Sequence, residues 1–190
     1  MQAASSENVY LSWNTMKKLS PDSASGEYAI MKWLLACLLC LSAAGVSAEQ
    51  ETRPFVRGSY ELIVASHTGK PFVVSFWSLA CSNCRENLSM FGKLSRKNPG
   101  FNLILIATGS PDQNKEIEQT LLRYRLERAE SWVFAENSAE RLHSEIDKEW
   151  SGELPRTYFF NAQGKVDSSL NGVLDRAQTE RWIRESSKGS

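Results

Sequence analysis

One stretch constrains the fold of this chain more than any other. Pro71–Trp77 (Pro-Phe-Val-Val-Ser-Phe-Trp) is a short run of β-branched and aromatic residues, which reads as a strand buried on both faces. Four residues on, Cys81-Ser82-Asn83-Cys84 opens a helix expected over Cys81–Lys97, with Cys84, Leu88, Phe91 and Leu94 on one stripe. A buried strand that feeds an amphipathic helix needs a sheet with helices packed on it. That places the chain among α/β folds.

The remaining pattern agrees. Phe101–Ala107 is the clearest central strand, and Trp132-Val133-Phe134 is a shorter one. Ser110-Pro111-Asp112-Gln113 supplies an N-cap, a proline at the first helical position and a glutamine three residues after the cap. The helix it opens carries Ile117, Leu121 and Tyr124. Asn137-Ser-Ala-Glu140 caps another with Leu142, Ile146 and Trp150 at intervals of four. Thr157–Asn161 and Lys165–Leu170 flank Ala162-Gln163-Gly164, a hairpin signal. Asp175-x-x-Gln178 caps a last helix through Trp182 and Ile183. Gly58–Ala65 alternates enough to read as an edge strand, which makes the expected order β β α β α β α β β α. No internal repeat is visible.

The N-terminal part reads as separate from this domain. Residues 33–41 (Trp-Leu-Leu-Ala-Cys-Leu-Leu-Cys-Leu) form a short apolar core after Lys32, and Val46-Ser47-Ala48 ends the segment as small-x-small. That tripartite pattern over 31–48 describes a secretory signal peptide with cleavage after Ala48. A retained membrane anchor is the alternative, and its apolar core is short for spanning. A lipid attachment at Cys37 or Cys40 fits poorly with the residues before them. Residues 1–30 form a polar, Ser-rich extension, either an over-called start with Met31 as the true one or a long n-region. The domain itself is expected over 49–190, exported to the periplasm or beyond.

Export changes the cysteine arithmetic. The chain has four cysteines, and removing Cys37 and Cys40 leaves Cys81 and Cys84 alone in an oxidising compartment. A helix N-terminus carries unpaired N–H groups and a positive dipole end, both of which stabilise a thiolate. Residues three apart lie on neighbouring faces, so the sulfurs can meet as a disulfide. Arg85, four residues after Cys81, can add positive charge. One thiolate would attack and the other resolve. The bland alternative is a structural staple. A loop of about four residues contributes roughly 2 kcal/mol, against about 4.7 for a 100-residue loop, so a lone bridge here is a poor staple. Zinc would need two more ligands, and His67 and His143 lack ligand spacing.

Phe76-Trp77-Ser-Leu-Ala-Cys81-Ser-Asn-Cys84-Arg85 resembles the Phe-Trp-x-x-x-Cys-x-x-Cys-Arg signature of exported thioredoxin-like thiol–disulfide oxidoreductases of the TlpA/ResA type. Gly69-Lys70-Pro71 resembles their approach to the strand. Gly152-Glu-Leu154-Pro155-Arg-Thr157, with its hairpin at Gly164, resembles their Gly-x-Pro-x-Thr segment. The resemblance spans roughly residues 58–186. It implies a thioredoxin fold, a mixed central sheet with helices on both faces. It also implies Cys81 as nucleophile, Cys84 as resolving thiol and Pro155 as a cis-proline beside them. Leu154 would offer backbone hydrogen bonds to a substrate strand, Trp77 would contribute to substrate binding and Arg85 would stabilise the thiolate. No metal or organic cofactor is implied. The partners would be a protein disulfide and a membrane thiol donor, acting on a monomer.

Some positions depart from that pattern. Ala80 stands where the family usually has Trp, Asn87 replaces a Glu common three residues after the second Cys, and Ser89 replaces a helix-kinking Pro. No general base is identified, and Glu86 reads as solvated. Trp77, Trp132, Trp150 and Trp182 also sit at core positions, and His67 reads as exposed. The run from Arg123 to Arg128 reads as a solvated helix face.

Composition closes off other classes. The 190 residues carry 22 basic and 22 acidic side chains, so no global basic excess exists to grip nucleic acid. A thiol peroxidase would need a Thr shortly before its reactive Cys, and Ser78 is the nearest hydroxyl. The rival from another class is a redox-inert or metal-chaperone binding module. Copper chaperones of this fold use Cys-x-x-x-Cys with a distal His, whereas the spacing here is Cys-x-x-Cys.

Overall fold

A computed structural model of the chain describes residues 51–187. The readings for residues 1–48 lie outside them. The described elements run β1 (Arg53–Phe55), α1 (Ser59–His67), β2 (Phe72–Trp77), α2 (Ser82–Lys97), β3 (Asn102–Ala107), α3 (Asn114–Arg123), β4 (Glu130–Phe134), α4 (Ala139–Ile146), β5 (Arg156–Phe160), β6 (Val166–Asn171) and α5 (Arg176–Ser186). A 3₁₀ turn at Pro111–Gln113 leads into α3. None of these helices is long and apolar enough to cross a membrane.

The strands form one six-stranded sheet in the order β1-β4-β3-β2-β5-β6. β1, β4, β3 and β2 are mutually parallel, β5 runs antiparallel to β2, and β6 runs antiparallel to β5. Period-two alternation along β2 builds two cores. Val73 and Trp77 face one side with Cys84, Leu88, Phe91 and Leu94 of α2, Ile117 and Leu121 of α3, and Ile183 of α5. Phe72, Val74 and Phe76 face the other side with Ile63 of α1 and Leu142 and Ile146 of α4. Phe72 stacks on its cross-strand partner Phe160 with ring centroids 4.4 Å apart. Ser75 is the polar exception in β2. Its hydroxyl lies 2.9 Å from that of Thr157 directly opposite, so neither is left unpaired in the core.

Four expectations are corrected. Gly58–Ala65 is not an edge strand but the start of α1. Ile63 is buried while Tyr60, Val64 and His67 are half-buried, a stripe of helical spacing that the β-branched Ile63-Val64 pair disguises. The first strand is instead Arg53–Phe55, too short to show a pattern. His67 is not merely exposed: a ring nitrogen lies 2.9 Å from the Ile63 carbonyl and the ring rests against Phe72. The run from Arg123 to Arg128 is a helix end rather than a face. Arg125 takes a left-handed φ of 59°, and the Leu126 amide returns to the Leu121 carbonyl at 2.8 Å, which buries Leu126. Trp150 likewise lies beyond α4, which ends at Ile146 with Asp147 as its cap. It still reaches the core, 4.7 Å from the Phe76 ring.

Candidate active site

The site forms where β2 ends. Ser78, Leu79 and Ala80 make a short turn, closed by the Cys81 amide on the Ser78 carbonyl at 3.2 Å, which sets Cys81 at the N-cap of α2. Its backbone is extended there (φ −83°, ψ 109°), and its sulfur accepts a hydrogen bond from the Cys84 amide at 3.1 Å. One of the orphan donors of the first turn is thus aimed at Cys81 Sγ, where negative charge on that sulfur would be stabilised. The two cysteines are joined as a disulfide, with Cα atoms 5.3 Å apart. They differ in access. Cys84 is fully buried, whereas Cys81 is half-buried and follows the exposed Ala80.

The Leu154–Pro155 peptide bond is cis, and Pro155 is buried. The β2–β5 register pairs Phe76 with Arg156, so Pro155 lies alongside the end of β2 from which the chain runs to Cys81. Leu154 is half-buried and packs against the same core cluster as Cys81 and Cys84.

The loop before Pro155 is held on both sides. The Trp150 indole N–H donates to the Glu153 carbonyl at 2.9 Å, and Arg156 pairs with Asp147 at 2.7 Å. Asp147 also accepts from the Tyr158 hydroxyl at 3.0 Å. The Glu149 amide, followed by Tyr158 and Arg156, holds the Asp147 carboxyl below its ordinary range. Burial pushes the Tyr158 phenol up to about 12, and burial likewise raises that of Tyr60. Neither phenol ionises near neutrality, so this cluster fixes the loop and moves no proton there.

Among the other expected site residues, Trp77 is 2 % exposed and shares the core cluster of Cys84. It therefore belongs to the buried layer that also holds Cys84. Its indole nitrogen has no hydrogen-bond partner. Arg85 is exposed on α2 and makes none of the ion pairs among the described residues. Glu86 is exposed, as its spacing implied.

The sequence reading missed the structural part played by Asn87. This residue is 2 % exposed and one turn beyond Cys84. Its side-chain oxygen accepts from the Leu174 amide at 3.0 Å, and its side-chain nitrogen donates to the Gly172 carbonyl at 3.2 Å. The Gly172 amide in turn donates to the Pro155 carbonyl at 2.8 Å. A buried amide side chain thus links the cysteine helix to the proline strand. The departure from Glu at this position was the only signal available.

No protein-family model and no curated protein sequence matches the chain. Solved structures do resemble it. A secreted disulfide oxidoreductase of Mycobacterium tuberculosis, homologous to E. coli DsbE, is 18 % identical with a TM-score of 0.51, over 64 % of this chain and 85 % of that one. A thiol:disulfide interchange protein of the thioredoxin family from Chlorobium tepidum is 21 % identical with a TM-score of 0.51, over 64 % and 83 %. DsbF of Mycobacterium tuberculosis, in mixed oxidized and reduced forms, is 18 % identical with a TM-score of 0.50, over 63 % and 83 %. These likenesses identify the fold: the chain is a thioredoxin-fold protein, with a mixed sheet covered by helices on both faces.

Proposed function

We propose that this protein is a thiol–disulfide oxidoreductase that reduces protein disulfides through Cys81 and Cys84. The observation that carries the reading is the cysteine pair itself. Its outer sulfur caps a helix and accepts a backbone N–H at 3.1 Å, its inner sulfur is buried, and the two are within bonding reach. In the reduced protein the Cys81 thiolate attacks one sulfur of the substrate disulfide. A mixed disulfide forms, and the other substrate sulfur leaves as a thiolate and takes a proton. Cys84 then loses its proton and attacks Cys81 Sγ. The internal disulfide closes and the second substrate thiolate departs. Two electrons pass to the substrate, and the protein ends oxidised.

Pro155 and Leu154 belong to this reading as the substrate ledge, with Leu154 offering its backbone groups to the incoming chain. Arg85 supports the thiolate electrostatically. Trp77 supports the floor of the site. The oxidised pair needs an external dithiol to run again, and a membrane thiol transporter fits an exported monomer. Export rests on the tripartite 31–48 segment, with the mature chain starting at Glu49.

Insulin reduction with Cys81→Ser as control tests the function, set beside a copper titration. Turnover that depends on Cys81 is expected. Tight copper binding without turnover would move the reading to a metal-binding module. Sequencing the N-terminus of exported protein tests the cleavage site.

A further inference from the structure

Beside the cysteine pair, α2 and the chain at Val173, Leu174 and Arg176 line an open groove of about 480 Å³. It begins at Arg85, directly after Cys84, and follows α2 to Lys93. Twelve residues of helix at about 1.5 Å each put Lys93 roughly 18 Å from Cys81, the cysteine that bonds the substrate. The opposite wall carries Val173, which is 47 % exposed, and Arg176. Met90 and Tyr124 add apolar surface between the walls. Asn87 sets their spacing, because its two hydrogen bonds hold Gly172 and Leu174 against the helix. The Gly172 amide continues that link to the Pro155 carbonyl. The groove therefore runs along the cysteine helix from the residue after Cys84, beside a segment tied to Pro155.

Its charge is one-sided. Arg85 and Lys93 make none of the ion pairs among the described residues, and Arg176 pairs with Glu180 at 3.0 Å. Glu86 is the only acidic residue that lines it. Arg85 and Lys93 are thus left outside the ion pairs, with Glu86 as the one acid along the lining, and exposed cations of this kind add little to stability but steer and select an oppositely charged partner. The apolar Val173 and Met90 suit a side chain without charge between the acidic ones.

We propose that this groove is the substrate-docking surface and that it takes an extended, acidic segment of the substrate protein flanking the disulfide. The inference rests on the oxidoreductase reading above. An extended chain advances about 3.3 Å per residue, so the segment reaches Lys93 about five to six residues from the substrate cysteine. Lys93 then acts on selection and not on the chemistry at the sulfurs.

The test uses two peptide disulfides that differ only in six residues flanking the cysteine, Glu-rich in one and Lys-rich in the other. Hydroxyethyl disulfide serves as an uncharged control. For the reduced wild-type protein, kcat/KM should favour the Glu peptide about tenfold at low salt, and added salt should shrink the preference. Lys93→Glu should cut that preference to about threefold or less, chiefly through KM. It should leave the rate with hydroxyethyl disulfide unchanged. Equal turnover of both peptides, a Lys-peptide preference, or a Lys93→Glu protein that discriminates as wild type does would overturn the proposal. Binding is read separately, as amide NMR shifts at Lys93, Val173 and Arg176 when the Glu peptide, with Ser in place of Cys, is added to the oxidised protein. Those shifts without any Cys81-dependent turnover would retain the groove and overturn the oxidoreductase reading. Turnover without charge preference or shifts would do the reverse.

Discussion

The sulfur of Cys81 lies 3.1 Å from the amide nitrogen of Cys84 and accepts its hydrogen bond. The donor belongs to the first turn of α2, so the helix N-terminus is directed at one sulfur of the pair and not the other. Burial separates the two further, since Cys84 is fully enclosed and Cys81 is not. The reduced protein should hold Cys81 as the more acidic and more accessible thiol. Single-cysteine variants titrated with iodoacetamide over pH 5–9 check this. Cys81 should react faster, with the lower midpoint, and Cys84→Ser should accumulate mixed disulfides while Cys81→Ser does not. Equal alkylation profiles would remove the asymmetry.

Gly92 lies in α2 where that helix meets the end of α3. A Cβ at this position would land on the Tyr124 carbonyl oxygen, which is backbone and has little room to yield. Alanine would gain about 1 kcal/mol in helix propensity but overpack the contact, so Gly92→Ala should be net destabilising by about 1–3 kcal/mol. Gly100→Ala is the control, because a Cβ there meets nothing within 4 Å. Urea unfolding of the two variants gives the comparison, and a neutral Gly92→Ala would show that α2 and α3 pack less closely than described.

His143 supplies a pH dependence. Its ring lies 4.4 Å from that of Trp150 and 5.6 Å from that of Phe134, and its Nε2 is buried without a partner. Burial lowers its pKa, against the pull of Glu140 and Glu153 in the other direction. The folded state therefore favours the neutral ring. That contribution is complete above the unfolded value of about 6.5 and is lost as the pH falls from there through the folded value. Thermal melts between pH 8 and 5 should show wild type losing stability, and His143→Phe should flatten that part of the curve. A slope unchanged by the substitution would assign it to other groups.

Much of this architecture could be read from local pattern. The β2 run, the cysteine helix and its buried stripe, the β5–β6 hairpin and the Asp175 cap, which accepts from the Gln178 amide at 2.7 Å, are each set by residues close in sequence. Two kinds of feature were not legible. One is a short element whose signals conflict. α1 carries a helical stripe, but Tyr60 and His67 complete it and Ile63-Val64 favour a strand. The other is a contact made only by folding. Asn87 meets Gly172 and Leu174 across more than eighty residues, and no periodicity announces it.

The proposed function requires Cys81 and Cys84 to form a working redox pair that runs as a reductant. The Cys84 amide at the helix N-terminus is aimed at Cys81 Sγ, Arg85 follows on the exposed face of α2, and Ser82-Asn83 places no cation between the cysteines. A moderately stabilised thiolate gives a moderately low potential, whereas a strong oxidant needs a very stable one. Equilibration with glutathione buffers measures it most directly. The predicted result is a single two-electron transition nearer the thioredoxin value of about −270 mV than the strong-oxidant value of about −120 mV. A midpoint above roughly −160 mV would make the protein a disulfide-forming enzyme, and the absence of any transition would contradict the redox pair itself.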